Sequence, residues 1–511
     1  MIKSDGIIYI YDNTERRILM KICSPEQAGI KSSDVKRFYE FLDECNLSTH
    51  SVIMARGDSI FSECYYSPFN SDFLHRMYSV SKSFVSVAVG FCIQDGLVSL
   101  DDRMDKFFPE YTECEWAFEH TSTVRDLLMM ESDMTGVNWF RQKPADRASV
   151  YFKTSASKKP GTLFDYDSSG SYMLGVIVEK LTGKPFLKYL QEKVLDDIGF
   201  SKGAYCIKAP GGYSFSDSGV MCTARDLLLF ARFVMNGGTW EGKRYLNEEY
   251  LRRATDMKIS NNDYGFIDHG SFGYGYLIWG APGGCYAMLG MGNQIALCDP
   301  KHDFIFIINS DNQGNSHGYE EILTALYTCI ISNLTEDGSA LHDNAAECDA
   351  LALYLKEKKL FCLKGSRSSH FSDKINRVVF VPDQNPMGIK WFRLEFDGDE
   401  GVLFYENEQG KKSFRFGFGH NVFMKFPQVG YSDLVANTFE EGNTYDAAFS
   451  ADWPEERKLR IRVQIIDKYF GNLAIVFGFK DEKEVSVRMS KTAEDFLSEY
   501  SGVMNASADA P

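Results

Sequence analysis

The alternation of apolar and polar positions gives the chain three successive textures. Residues 7–10 and 17–22 alternate as a short hairpin would, and Ser24-Pro25-Glu26-Gln27-Ala28-Gly29 then turns the chain. After the capping-type cluster Ser32-Ser33-Asp34, Val35, Phe38, Phe41 and Leu42 recur at helical spacing. Residues 50–55 and 59–65 flank Arg56-Gly57-Asp58, which predicts two strands joined by a tight turn. A run of small and apolar residues from Met77 to Ile93, stopped at Gly96, predicts a buried helix.

The second texture is helical. Residues 99–131 mix helix and loop, and 136–160 are polar and irregular, long enough to form a rim around a substrate, where Trp139 and Phe140 either line a pocket or pin the loop. An apolar helix over 172–181 is stopped by Thr182-Gly183-Lys184-Pro185, and further helices are predicted over 186–200 and 223–236. Strands return at 276–279, 285–289, 294–298 and 304–308, the last two joined by Asp299-Pro300-Lys301-His302-Asp303 as in an antiparallel meander, with a helix over 320–333 to cover them. A sheet closed by segments far apart in sequence, with a helical lobe inserted between them, is class α+β, and the crevice between sheet and lobe is where a site is expected.

The third texture follows a polar stretch at 336–347. Short alternating segments at 389–396, 402–405, 414–418, 459–465 and 485–489, separated by frequent turn signals, predict an antiparallel all-β barrel or sandwich. The expected domains are therefore 1–337 and 348–511. The chain has 511 residues, more than one core usually supports, which agrees with two domains.

Composition narrows the function classes. A formal net charge of −16 argues against a nucleic-acid or anionic-membrane partner. No run approaches the ~20 apolar residues that span a bilayer, and Met1 to Tyr9 holds no apolar core of signal-peptide length, so the expected location is cytoplasmic. Twelve cysteines without Cys-x-x-Cys pairs fit reduced, buried thiols, and none follows Cys362. None of the nine histidines forms a metal-ligand pair, no Gly-x-Ser-x-Gly elbow occurs, and Gly273-Tyr274-Gly275 and Gly417-Phe418-Gly419 lack the third glycine of a phosphate loop. No metal or cofactor is expected, and the partner implied is a small-molecule substrate.

The candidate chemistry lies in Ser79-Val80-Ser81-Lys82. Residues three apart share a helical face, and a serine hydroxyl needs a neighbouring base before it is a useful nucleophile. An amine one turn away supplies that base where burial or a nearby cation keeps part of it neutral. The spacing alone is weak: Ser33/Lys36 and Ser155/Lys158 repeat it in polar surroundings that read as solvated surface. Only Ser79/Lys82 opens a long apolar helix.

Several segments together resemble the serine β-lactamase and penicillin-binding-protein superfamily, in particular its class C-like esterases and amidases. They are Ser79-Val80-Ser81-Lys82, Thr123 to Leu128, Phe164-Asp165-Tyr166-Asp167-Ser168, Leu174-Gly175 with Thr182-Gly183, and Tyr286 to Asp299-Pro300, in one order between about Ser24 and Asn333. The resemblance implies a β-lactamase-like sheet flanked by helices, with Ser79 as acylated nucleophile, Lys82 as its base and Tyr166 as the proton relay to the leaving group and the deacylating water. Ser168 falls at the polar position two after the tyrosine. Where relatives carry Lys or His, then Thr or Ser, then Gly, this chain reads Met288-Leu289-Gly290. Leu289 and Gly290 would then border the substrate, and the N–H of Met291 with that of Ser79 would form an oxyanion hole.

With no cation or hydroxyl at that strand to receive a carboxylate, a small neutral ester or amide is the expected substrate of a serine hydrolase working through an acyl-enzyme. Two alternatives remain open at this stage: a β-lactamase or D-amino-acid peptidase with an altered third motif, and a non-catalytic ligand-binding or regulatory protein of the same fold. The C-terminal domain shows no chemistry of its own; covering the cleft, forming a homo-oligomer or binding a partner are the roles open to it.

Overall fold

The structure is a computed structural model that describes residues 20–135, 146–262, 272–427, 444–494 and 496–508. They fall into two units divided between Lys359 and Leu360. In the first, β1 (Lys21–Ile22), α1 (Ser32–Glu44), β2 (Thr49–Arg56), β3 (Ser59–Tyr65) and β4 (His75–Arg76) lead to α2 (Ser81–Gln94). A helical region follows with α3 (Val124–Leu128), α4 (Arg147–Phe152), α5 (Ser168–Thr182) and α6 (Phe186–Leu190). Next come β5 (Tyr205–Cys206), β6 (Val220–Cys222), α7 (Ala224–Met235), β7 (Thr239–Trp240), β8 (Lys243–Arg244) and α8 (Glu248–Ala254). The chain re-enters the sheet through β9 (Trp279–Gly280), β10 (Tyr286–Gly290), β11 (Gln294–Asp299) and β12 (Phe304–Ser310), then ends this unit with α9 (Gly318–Ala325) and α10 (Ala345–Lys356).

The main sheet runs β1-β3-β2-β12-β11-β10-β9. Its centre joins the two ends of the unit: β2 pairs antiparallel with β12 from Phe304 opposite Arg56 to Ser310 opposite Thr49. All seven residues of β12 are buried, so its sequence is a continuous apolar run before the polar Asn309 and Ser310. The aromatic Phe38 of α1 meets Phe306 edge to face, with ring centroids 5.6 Å apart, and α7 also packs on this strand. The helices begin where local chemistry lets them. Thr123 and Asp126 form a reciprocal capping box at α3, and Thr223 and Asp226 form another at α7. Asp167 caps α5 by accepting from the N–H groups of Ser169 and Gly170, and Gly183 ends that helix in the left-handed conformation at φ 69°.

The structure differs from the pattern reading in specific places. The strand read over 7–10 lies outside the described residues, and Lys21–Ile22 pairs parallel with β3. The start of α1 is satisfied by Glu26, which accepts from the Ser32 N–H at 2.8 Å, and not by its own serines. Of the strand expected at 276–279 only Trp279 joins the sheet, because Leu277 adopts a left-handed φ of 57° that breaks an extended run. The stretch after the polar segment is not yet the second unit: α10 packs on α1, where Tyr354 donates to Asp43 at 2.6 Å.

The second unit carries α11 (Ser372–Ile375) and ten strands: β13 (Val379–Pro382), β14 (Trp391–Asp397), β15 (Glu400–Asn407), β16 (Gly410–Phe418), β17 (Val422–Lys425), β18 (Asp446–Glu455), β19 (Lys458–Ile466), β20 (Phe470–Phe479), β21 (Glu484–Thr492) and β22 (Gly502–Ala508). They are ordered β16-β15-β14-β13-β22-β21-β20-β19-β18-β17, and β16 also pairs with β18, so nine strands close into a barrel with β17 outside the ring. An odd ring cannot alternate direction throughout, and the closing contact of Gly417 and Phe418 with Ser450 and Ala451 is accordingly parallel. The interior is filled by side chains, including Phe414 against Phe449 at 4.9 Å and the hydroxyls of Tyr405 and Tyr500 at 2.8 Å. It is a barrel, the first of the two all-β forms expected.

Among the described residues no helix is long and apolar enough to cross a membrane, and no group of three or more His, Cys, Asp or Glu could hold a metal ion.

Candidate active site

Ser79 lies in a 3-10 turn, Tyr78–Val80, that feeds directly into α2. Three hydrogen bonds, two to Val220 and one to Leu277, hold the turn and the start of α2. The Met77 N–H donates to Val220 O at 2.8 Å, the Val220 N–H donates to Ser81 Oγ at 3.0 Å, and Ser83 Oγ donates to Leu277 O at 2.8 Å. Tyr78, just before Ser79, has φ 47°, a left-handed conformation that costs a residue with a Cβ about 1–3 kcal/mol. The buried guanidinium of Arg76 stands 4.2 Å from its ring and helps to hold it there.

Lys82 follows one turn later and is only 2% exposed. Its Nζ lies 2.9 Å from Ser79 Oγ and donates to the carbonyl of Asp217 at 2.8 Å. Two fixed oxygens thus leave the amine little choice of position, with its nitrogen aimed at the hydroxyl. The Tyr166 ring centroid is 5.1 Å from the same nitrogen. Lys82 therefore touches both of the other residues that the sequence singled out.

Tyr166 sits in the segment before α5, and the segment is tied down on both sides. Asp165 N–H donates to Met130 O at 2.8 Å, and Ser132 Oγ donates to Asp167 Oδ2 at 2.9 Å. Lys158, which the pattern placed on the solvated surface, reaches inward to donate to Ser132 O at 2.6 Å and Leu163 O at 2.8 Å. Burial pulls its amine down from the ordinary lysine range, partly opposed by the carboxylates of Asp165 and Asp167. The Tyr166 ring is stacked on Trp279 at 5.3 Å, and Trp279 in turn meets Tyr274 edge to face at 4.9 Å.

The remaining expected residues are placed as follows. Ser168 is buried in the first turn of α5, where its carbonyl accepts from Ser171 Oγ at 2.9 Å. On β10, Leu289 is buried, Met291 just beyond the strand is 40% exposed, and a Cβ on Gly290 would stand 2.4 Å from Met77 O. That glycine lets β10 run against the turn that carries Ser79, a packing reason for its identity that the pattern did not contain. Trp139 and Phe140 lie outside the described residues. Pattern reasoning missed Asp217 and Trp279. Asp217 stands in Ser216-Asp217-Ser218-Gly219 with no periodicity to mark it, and Trp279 looked like one more strand aromatic.

This fold is that of the serine β-lactamase and penicillin-binding-protein superfamily. The chain matches the Beta-lactamase family model over residues 36–327, and it belongs to that family. It is 24% identical over 280 residues to the 6-aminohexanoate-dimer hydrolase of Paenarthrobacter ureafaciens, a match that spans 51% of this chain and 71% of that protein. Among solved structures, the D-amino acid amidase of Ochrobactrum anthropi SV3 is 18% identical with a TM-score of 0.47, over 59% of this chain and 99% of that one. An octameric penicillin-binding protein homologue from Pyrococcus abyssi is 14% identical with a TM-score of 0.45, over 93% of this chain and 99% of that one.

Proposed function

We propose that the protein is a serine hydrolase that cleaves a small, neutral ester or amide through an acyl-enzyme on Ser79. The observation that carries this reading is the buried Lys82 amine, 2.9 Å from Ser79 Oγ and anchored on Asp217 O. As Oγ adds to the substrate carbonyl carbon, the Lys82 amine takes the hydroxyl proton, and the carbonyl oxygen becomes an oxyanion facing the main-chain N–H groups of Ser79 and Met291. Collapse expels the alcohol or amine, which leaves with a proton delivered through Lys82 and Tyr166. Water then adds to the acyl carbon with the same two groups taking its proton, and the acid departs as Ser79 recovers its hydroxyl.

The neutral substrate is supported by β10, where Met288 and Leu289 are apolar and buried at the positions from which a cation and a hydroxyl would receive a substrate carboxylate. The relative's name, a hydrolase of an aminohexanoate dimer, agrees with hydrolase chemistry on a small molecule. The test is to incubate the protein with a fluorophosphonate and with p-nitrophenyl acetate, and to locate the adduct by mass spectrometry. The expected adduct is on Ser79, absent in Ser79→Ala, with turnover reduced by about 100-fold or more in Lys82→Ala and Tyr166→Phe. Absence of both adduct and turnover would overturn the proposal and leave the non-catalytic reading.

A further inference from the structure

A row of buried polar side chains crosses the otherwise apolar centre of the main sheet. Asn309 of β12 pairs with Ser51 of β2, Gln294 begins the next strand, β11, and Gly290 of β10 is its register partner. Gln294 and Asn309 are wholly buried, and Ser51 is nearly so. Positions of this kind are ordinarily apolar, because a polar group that leaves water must find its hydrogen bonds inside the protein. Each of these three does. Ser51 Oγ donates to Asn309 Oδ1 at 3.1 Å, and Asn309 Nδ2 donates to Gln294 Oε1 at 3.2 Å. The Ser310 N–H donates to the same Oε1 at 3.2 Å. Gln294 Nε2 in turn donates to Ser310 O at 2.6 Å and to Met291 O at 3.0 Å. With two donors facing its oxygen and two carbonyls facing its nitrogen, the amide has one possible orientation.

The row ends at the turn of residues 291–293, which joins β10 to β11 and carries the N–H of Met291. Gly292 and Asn293 take left-handed φ values of 79° and 69°, and the Asn293 N–H closes the turn on Gly290 O at 3.1 Å. Ser310 Oγ holds two of the turn's carbonyls, Gly292 O at 2.7 Å and Asn293 O at 2.9 Å. The third, Met291 O, accepts from Gln294 alone among the described residues. We propose that Gln294 is a positioning residue for the oxyanion site: its grip on Met291 O sets the direction of the Met291 N–H toward the substrate's carbonyl oxygen. The N–H and the carbonyl of Met291 belong to successive rigid peptide planes that meet at its Cα, so fixing one restricts the other. Gly290, on the far side of the N–H, has no Cβ to limit its own torsions and cannot supply that restraint. The Gln294 stem also spaces the two strands, since a Cβ on Gly290 would stand 3.1 Å from the Cβ of Gln294. A donor aimed before the reaction needs no reorientation as charge develops, which is where such a site gains its effect.

The inference rests on the hydrolase reading, and its test separates aim from general damage. Gln294→Met keeps the volume and removes all four hydrogen bonds. Gln294→Glu keeps the shape and puts an oxygen where the NH2 held two carbonyls. Each variant, once urea unfolding shows it folded, is compared with the unmodified protein on p-nitrophenyl acetate and on the matching thionoester, which carries sulfur in place of the carbonyl oxygen. Sulfur is the larger atom and the weaker acceptor, so well-aimed N–H groups favour the ester and lost aim narrows the gap. In both variants kcat/KM for the ester should fall about 10–100-fold, and the ester-to-thionoester ratio should fall about tenfold. Equal losses on the two substrates overturn the inference, because they report a disturbed Ser79 or a weakened fold and not a misdirected donor. Unchanged rates overturn it as well, and Gln294→Glu decides where Gln294→Met does not fold. Absence of both turnover and a Ser79 adduct in the unmodified protein would instead overturn the hydrolase reading, and this inference with it.

Discussion

Gly290→Ala is a small change with a large expected effect. A methyl group there would stand 2.4 Å from the carbonyl oxygen of Met77, about 1 Å inside the 3.4 Å at which ordinary contact begins. The obstacle is main chain, so no rotamer change relieves it. That carbonyl accepts the Val80 N–H at 3.1 Å and so closes the turn carrying Ser79. Either β10 or the turn must move by most of 1 Å, and a displacement of that size at a reacting atom costs about 100-fold in rate. Overpacking at a site bounded by backbone should destabilise the protein by about 1–3 kcal/mol. The assay is kcat/KM for p-nitrophenyl acetate together with the rate of fluorophosphonate labelling of Ser79, both measured under conditions where urea unfolding shows the variant folded. The two rates should fall together. A stable Gly290→Ala variant with rates within threefold of the unmodified protein would refute the claim that this contact sets the position of Ser79.

Two further outcomes follow from the same geometry. Asp167→Ala removes the cap of α5 and its bond from Ser132, so chemical denaturation should show a loss of about 1–2 kcal/mol, with slower Ser79 labelling because Tyr166 is the adjacent residue. Asp133 accepts from His120 Nδ1 at 3.1 Å, Tyr151 at 2.9 Å and the Thr121 N–H at 2.8 Å. Burial pushes its carboxyl up, but the bonds from His120 and the main chain carry it below the ordinary aspartate range. Its contribution to stability is therefore complete above the unfolded value near about 3.9 and is lost as pH falls through the lower folded value. Asp133→Asn should cost about 2–3 kcal/mol near neutral pH and flatten the loss of stability below about pH 4, as thermal melts across pH would show.

The pattern of residues was enough to place most elements, for identifiable reasons. Long periodic segments such as those that became α2, α5 and α7 carry their own start and stop signals, and the meander β10-β11-β12 is written as three apolar runs split by turns. Short or strained pieces were not legible. Leu277 takes a left-handed φ because Leu128 O accepts its N–H and Ser83 donates to its carbonyl, partners 149 and 194 positions away respectively in chain order. The start of α10 was invisible for a related reason. Its stretch is polar and reads as linker, and it becomes helix against α1.

For the candidate site, local sequence supplied the pair Ser79 and Lys82, whose spacing on one helical turn is a property of the chain alone, and the family resemblance supplied Tyr166. Tertiary structure alone decided which of the Ser-x-x-Lys copies sets its amine against its own serine, since Lys36 pairs with Glu40 and Lys158 donates to Ser132 O and Leu163 O. It also decided that the amine leans on Asp217, that Trp279 backs Tyr166, and that Gly290 faces Met77. Hydrogen bonds, ring stacking and excluded volume act between atoms that meet only after the chain has folded, so a linear pattern can name the residue types but not the neighbours that give them their chemistry.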